Sequence, residues 1–225
     1  MCHNAKVAIP PGMHEYCAMD LSSMNSTSVS PRVVGLTGGM GSGKSTVAGI
    51  LRSFGFCVYN ADDAAKSLYT RDAGLAQAVS SRFGADVFTA AGEINRKLLA
   101  SRAFASKEAL AELNAMVHPA VAKDFVEWSM KRAKDGARCV FREAAILFES
   151  GSHKDCHEVW AVTAPLEIRM ARIARRDGLS EVEVHERMRH QWPQEEIAVM
   201  SDEVLLNDGF TPLVPQVADL LVDLF

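Results

Sequence analysis

The chain has 225 residues, 48% of them hydrophobic and 23% charged, and a formal net charge of -4 with a pI near 6.0. That composition excludes a wholly disordered chain and suits one substantial core with a small appended lobe, while the acidic balance gives no electrostatic reason to expect a nucleic-acid or anionic-membrane partner. No apolar run approaches the ~20 residues a membrane helix needs, and none near the start resembles a signal peptide, so a cytosolic location is expected.

Residues 1–30 lack any periodic apolar pattern and carry Pro10-Pro11-Gly12 and the polar tract Ser22 to Ser28, so a mobile tail without a catalytic role is expected there. Met13, Met19 and Met24 raise the hypothesis of a downstream start. The spacing of Cys2, His3, His14 and Cys17 fits no common zinc pattern. The five cysteines are scattered and odd in number, which reads as free thiols; Cys57 and Cys139, inside apolar runs, read as small buried hydrophobes.

A strand-like run, Val33 to Thr37, leads into Gly38-Gly39-Met40-Gly41-Ser42-Gly43-Lys44-Ser45, which fits G-x-x-x-x-G-K-[ST] at every specified position. A helical spacing of Val47, Ile50, Leu51 and Phe54 follows. Glycines let the backbone turn and bring its N–H groups close to an anion, and the start of the helix points more N–H groups at the same place. Gly39 to Thr46 is therefore the expected nucleotide-binding segment: Lys44 reaches the β- and γ-phosphates, Ser45 ligates Mg²⁺ and the Thr46 hydroxyl lies near the α-phosphate.

Gly55 is placed to cap that helix, and Phe56 to Asn60 reads as a second strand. At Asp62-Asp63 one aspartate can cap the next helix while the other points at a ligand. Residues 64–134 read as almost wholly helical, in segments Leu75 to Phe83, Arg96 to Phe104 and Glu108 to Lys134, with the last pattern broken at His118-Pro119. So long an insertion between strands suggests a separate substrate lobe.

Gly136 ends the lobe and Ala137 to Glu143 is the third strand, its Glu143 being either a Mg²⁺ contact or a surface carboxylate. A fourth strand, Glu158 to Thr163, and Pro165 precede a helix that shows Leu166, Met170 and Ile173 on one face and Arg169, Arg172 and Arg176 on another. Such a stripe can close over transferring phosphates. Gly178 then acts as a hinge, Ser180-Glu181-Val182-Glu183 is a capping box, and Pro193 ends the segment, which suits a mobile lid over 168–192. Glu203 to Asn207 reads as a fifth strand, and a last helix packs Leu213, Val217, Leu220, Leu221 and Leu224 on the sheet.

From Val33 to the C-terminus the chain resembles the dephospho-coenzyme A kinase family. The resemblance rests on Gly35 to Thr46, Asn60-Ala61-Asp62, Arg96, His118-Pro119, Ile146 to Glu149, Arg172, Arg176 to Ser180, Gln191 and Asn207-Asp208-Gly209. It implies an α/β fold of the P-loop class, three layers deep, with a five-stranded parallel sheet in the order 2-3-1-4-5, a helical substrate lobe and a helical lid. It implies a nucleotide-binding core over 31–61 and 136–225 and a coenzyme A lobe over 62–135. The implied activity is transfer of the ATP γ-phosphoryl group to the ribose 3′-hydroxyl of dephospho-coenzyme A, with Mg²⁺ as cofactor. Asp62, Lys44 and Arg176 are the implied catalytic residues, with Arg172 and Asn207 at the nucleotide and Asp62, Lys66, Arg96 and His118 at the acceptor. Departures from the commonest pattern fall at Asn95, Lys66, Glu143 and Ala145. The competing readings are another small-molecule P-loop kinase, such as one for a nucleoside monophosphate, and a nucleotide switch, against which no N-K-x-D motif occurs. A monomer is favoured.

Overall fold

The structure, a computed structural model, describes residues 30–189 and 191–224. Of the expected tail only Ser30 is among them; the metal and start-site readings on residues 2–24 lie outside the described residues.

Five strands, β1 (Arg32–Thr37), β2 (Cys57–Asn60), β3 (Cys139–Glu143), β4 (Glu158–Thr163) and β5 (Glu203–Leu206), pair in parallel in the order β2-β3-β1-β4-β5. This is the order the resemblance implies. Because β1 lies between β3 and β4, the chain leaves its carboxyl end at a change of strand direction across the sheet, where open α/β sheets form their ligand crevice.

Strand alternation sends neighbours to opposite faces. Val34, Leu36, Phe141, Trp160, Val162 and Leu205 pack against α1 (Lys44–Ser53) and α9 (Leu213–Asp223) through Val47, Leu51, Val217 and Leu221. Val33, Tyr59, Val140 and Val159 face the other way, onto α2 (Ala61–Arg71), α3 (Ala73–Phe83), α4 (Arg96–Ala103), α5 (Lys107–Lys134) and Ile197 of α8 (Gln194–Met200). The helical layer over 61–134 thus shares one core with the sheet. Each fully buried Leu, Val or Phe here stabilises the fold by roughly 1.5–3 kcal/mol.

Gly55 ends α1 in the expected way. Its φ is 91°, its N–H donates to Arg52 O, and Phe56 N–H reaches back to Leu51 O, which satisfies the last carbonyls of the helix. The capping box at Ser180 is formed in full and starts α7 (Glu181–Met188) after α6 (Leu166–Asp177) and the left-handed Gly178. Three expectations need correction. α5 runs unbroken through Pro119, because Val117, Val121 and Phe125 at i, i+4 and i+8 bury one stripe of it, outweighing the single hydrogen bond that proline forfeits. Neither Asp62 nor Asp63 caps α2; Asn60 does, its Oδ1 accepting from Asp63 N–H at 2.8 Å. α8 was not expected, although Pro193 before it and Glu195-Glu196 in its first turn are start signals.

Candidate active site

Between β1 and α1 the loop from Gly38 to Gly43 can exist only with glycines at its tight points. Gly38, Gly41 and Gly43 have φ of 140°, 80° and 104°. A Cβ on Gly41 would meet Arg169 O at 2.6 Å, one on Gly38 would strike Val162 O, and one on Gly43 would strike Asn207 Nδ2. The N–H groups of Gly41, Gly43, Lys44 and Ser45 have no acceptor among the described residues. The chain therefore holds a concave row of free donors at a helix start, which is the chemistry a polyphosphate needs.

Lys44, on the first turn of α1, donates to Gly38 O at 2.7 Å and Gly39 O at 3.3 Å. Burial pushes its pKa down to about 8; Asp62 and Glu143 oppose that shift, while Arg169 and Arg176 add to it. Asp62 stands in the first turn of α2 with its outer side open to solvent. Protein crowds it on the other sides and raises its pKa, against which Lys44, Lys66 and the Ala145 N–H favour the ionised form. Asn60, at the carboxyl end of β2, caps α2 and also donates to Glu143 Oε2 at 3.1 Å. Glu143 ends β3 and is buried, which raises its pKa, with Lys44 the leading counterweight. The ends of β2 and β3 and the start of α1 thus bring Asp62, Glu143 and Lys44 into one electrostatic group.

The loop is gripped from its other side by α6. Arg169, 7% exposed, donates from Nε to Met40 O at 3.0 Å, and a Cβ on Gly39 would come within 2.5 Å of its guanidinium. Arg172 Nη1 donates to Gly41 O and Ser42 O, both at 3.3 Å, and Nη2 donates to Asn207 O at 3.1 Å. Arg176 makes no hydrogen bond to the loop, although its charge is felt at Lys44. It makes a paired contact with Asp177, at 2.7 and 3.0 Å, and Asp177 also accepts from Arg187 at 2.9 Å. The first of these contacts holds Asp177 below the usual carboxylate range.

Of the expected acceptor residues, Lys66 sits beside Asp62 and pairs with Asp63 at 2.6 Å. Arg96 opens α4, exposed, with its charge felt at Tyr69 of α2. His118 is half-buried in α5, and burial and then Arg142 lower its pKa. Neither Arg96 nor His118 is hydrogen-bonded to Asp62 or to the loop. Arg169 was visible only as part of a basic stripe, and Gln191, whose amide reaches Met40 N–H at 2.8 Å, only as part of a resemblance. Ser45 and Thr46 are exposed on the first turn of α1. Ser45 can give a hard hydroxyl oxygen to a divalent cation, and Asp62 and Glu143 supply negative potential at the adjacent Lys44, so the donor chemistry fits Mg²⁺.

Comparison with known proteins agrees with this geometry. The family model described as dephospho-CoA kinase matches residues 32–212. The dephospho-CoA kinase of Chlorobaculum tepidum is 40% identical over 183 residues, covering 80% of this chain and 88% of that protein. That of Bacteroides fragilis is 36% identical over 192 residues, covering 85% and 92%. Among solved structures, a protein from Thermus thermophilus superposes with a TM-score of 0.75 at 34% identity over 88% of this chain and all of that one. Dephospho-CoA kinase from Campylobacter jejuni gives 0.64 at 25% identity over 85% and 96%. The loop, the sheet order and these likenesses, which span the sheet and both helical layers, agree: this chain belongs to the dephospho-CoA kinase family.

Proposed function

We propose that the chain transfers the γ-phosphoryl group of ATP to the ribose 3′-hydroxyl of dephospho-coenzyme A, with Asp62 as base. What carries this reading is a loop whose four N–H groups are free among the described residues, with the Lys44 ammonium on it close enough to Asp62 to favour the carboxylate. A carboxylate there orients the acceptor hydroxyl and takes its proton as the new O–P bond forms and the β,γ-bridging bond breaks, leaving ADP. A positioned base contributes about 10²- to 10⁴-fold.

The amides of Gly41 to Ser45 and the Lys44 ammonium cradle the β- and γ-phosphates. Arg172 and Asn207 set the loop and border the nucleotide. Arg176 is reserved in the Asp177 pair and reaches the transferring group when the 168–192 segment closes. Bound Mg²⁺ would neutralise phosphate charge, held by Ser45. Lys66, Arg96 and His118 line the acceptor side on the helical layer, which takes the coenzyme A portion over 62–135. The enzyme acts as a cytoplasmic monomer in this reading; no helix among the described residues is long and apolar enough to cross a membrane.

A coupled assay of ADP release decides it, with ATP plus dephospho-coenzyme A set against ATP plus AMP, CMP or adenosine. Strong stimulation by dephospho-coenzyme A alone is expected. Equal or greater stimulation by a nucleoside monophosphate would reject the acceptor named here.

A further inference from the structure

Gln191 lies between α7 and α8, and both ends of its carboxamide are engaged. Its Oε1 accepts from Met40 N–H at 2.8 Å, and its Nε2 donates to Ala145 O at 3.0 Å. A backbone N–H can only donate and a backbone carbonyl only accept, so the two partners fix which way the amide points. Met40 belongs to the phosphate loop, and Ala145 lies two residues beyond β3. The contact at Ala145 is reinforced next door. Trp192 N–H donates to Glu149 Oε1 at 3.0 Å, and the Trp192 ring stacks on Phe148 at 6.0 Å and 7°. The foot of the arginine-bearing segment is therefore tied to 145–149 on one side and to the loop on the other.

The choice of loop donor is informative. Met40 N–H is satisfied by Gln191, whereas the N–H groups of Gly41, Gly43, Lys44 and Ser45 remain free among the described residues. The clasp holds the loop by a donor outside the free row.

We propose that Gln191 is a positioning residue, a clasp that fixes the phosphate loop against the Ala145 segment bordering Asp62, and so holds the donor phosphate and the acceptor hydroxyl at one separation. The proposal rests on the reading of Asp62 as base. Ala145 connects the clasp to that carboxylate, since its N–H is among the groups favouring the ionised form. The other groups facing Asp62 are Lys44 from α1, Lys66 and Asp63 from α2, and Glu143 from β3. Removing the clasp frees the Ala145 carbonyl and loosens the backbone that borders Asp62. The phosphate loop and the Asp62 side then no longer keep one separation, and turnover falls while the free N–H row still binds nucleotide.

The test uses Gln191→Ala and Gln191→Met, the second keeping the side-chain length without its polar atoms. Turnover with ATP and dephospho-coenzyme A is resolved into kcat and KM, ATP affinity is read by titration of a fluorescent ATP analogue, and folding by thermal unfolding. A misplacement of about 1 Å is worth roughly 10²-fold, so kcat is expected to fall by about 10- to 100-fold, with nucleotide affinity within about 3-fold. Turnover within about 3-fold of the parent in both variants would overturn the clasp. So would a loss confined to ATP affinity, or failure of both variants to fold, since a positioning role leaves the fold intact. Asp62→Asn is assayed alongside and reads the base by itself. Should it keep turnover, the base assignment fails whatever Gln191 does; should it lose turnover while both Gln191 variants keep theirs, only the clasp fails.

Discussion

Arg172 and Asn207 are hydrogen-bonded to each other and to the same carbonyl. Arg172 Nη1 and Asn207 Nδ2 both donate to Ser42 O, at 3.3 and 2.7 Å, while Arg172 Nη2 donates to Asn207 Oδ1 at 3.2 Å. One side chain comes from α6 and the other from just past β5, so the far side of the sheet and the arginine segment meet at the back of the phosphate loop. The loop's free N–H groups keep their direction because its carbonyls are taken from behind.

Replacing Asn207 by Leu removes the donor to Ser42 O and the acceptor for Arg172 while keeping similar volume. Two lost hydrogen bonds at about 1 kcal/mol each correspond to roughly 10- to 30-fold weaker nucleotide binding. Titration with a fluorescent ATP analogue checks this, and unchanged affinity would show that Asn207 leaves the loop's shape alone.

Gly43 is the tightest point of the loop. With φ at 104° and an added Cβ striking Asn207 Nδ2, Gly43→Ala meets backbone strain and a steric clash together. Strain of this kind costs of order 1–3 kcal/mol. The expected outcome is a folded protein, by circular dichroism, whose nucleotide affinity falls at least about 10-fold. Gly49→Ala, in α1 where a Cβ meets nothing within 4 Å, is the matched control and should bind normally. Equal behaviour of the two variants would refute the argument.

Lys44 supplies a pH signature. Its pKa in the free protein lies near about 8 because burial disfavours the ammonium. Phosphate oxygens favour the ammonium, so binding raises that pKa. A group whose bound-state pKa is higher takes up a proton on binding above its free-state pKa, so affinity declines as pH rises through about 8. Calorimetry at pH 8.5 in two buffers of different ionisation enthalpy should reveal net proton uptake, absent in Lys44→Met. Uptake that persists in the variant would assign it to another group.

Much of this was legible because it is local in the chain. The run from Val33 to Phe54 carries strand, loop and helix in consecutive residues, and Ser180 to Glu183 encodes its own cap. What was misread depended on distant partners. Pro119 looked like a break because proline's local rule is strong, yet α5 is held by burial against β3 and α2. Asp62-Asp63 drew the cap away from Asn60, whose second hydrogen bond goes to Glu143, 83 residues on. The Gln191 amide reaches residues 151 and 46 positions away, and no spacing rule in one sequence connects them.

Arg142 offers a test of how much a buried charge stabilises this fold. It is 2% exposed in β3, lies 4.7 Å over the Phe125 ring and donates from Nη2 to Ser152 Oγ at 3.1 Å. Its Nε and Nη1 have no hydrogen-bond partner among the described residues, and Asp155 stands 3.5 Å from Nη1 without hydrogen-bond geometry. Desolvating a guanidinium so incompletely paired costs more than it returns, and replacing such charges with apolar side chains is often neutral or stabilising by about 1–4 kcal/mol. Arg142→Met keeps the length and sets a thioether against Phe125. Its urea midpoint should equal or exceed that of the parent. A second readout follows at His118, whose imidazole is held below its ordinary range by burial and then by Arg142. A histidine kept neutral by the fold makes stability fall as pH drops through about 6.5, the unfolded value, because only the unfolded chain then gains the proton. Removing the guanidinium lets His118 titrate higher, so that acid-side loss should shrink and the His118 resonance should titrate at higher pH by NMR. A variant destabilised by more than about 2 kcal/mol, beyond the usual reach of a surface change, would show that Arg142 is fully compensated in the fold.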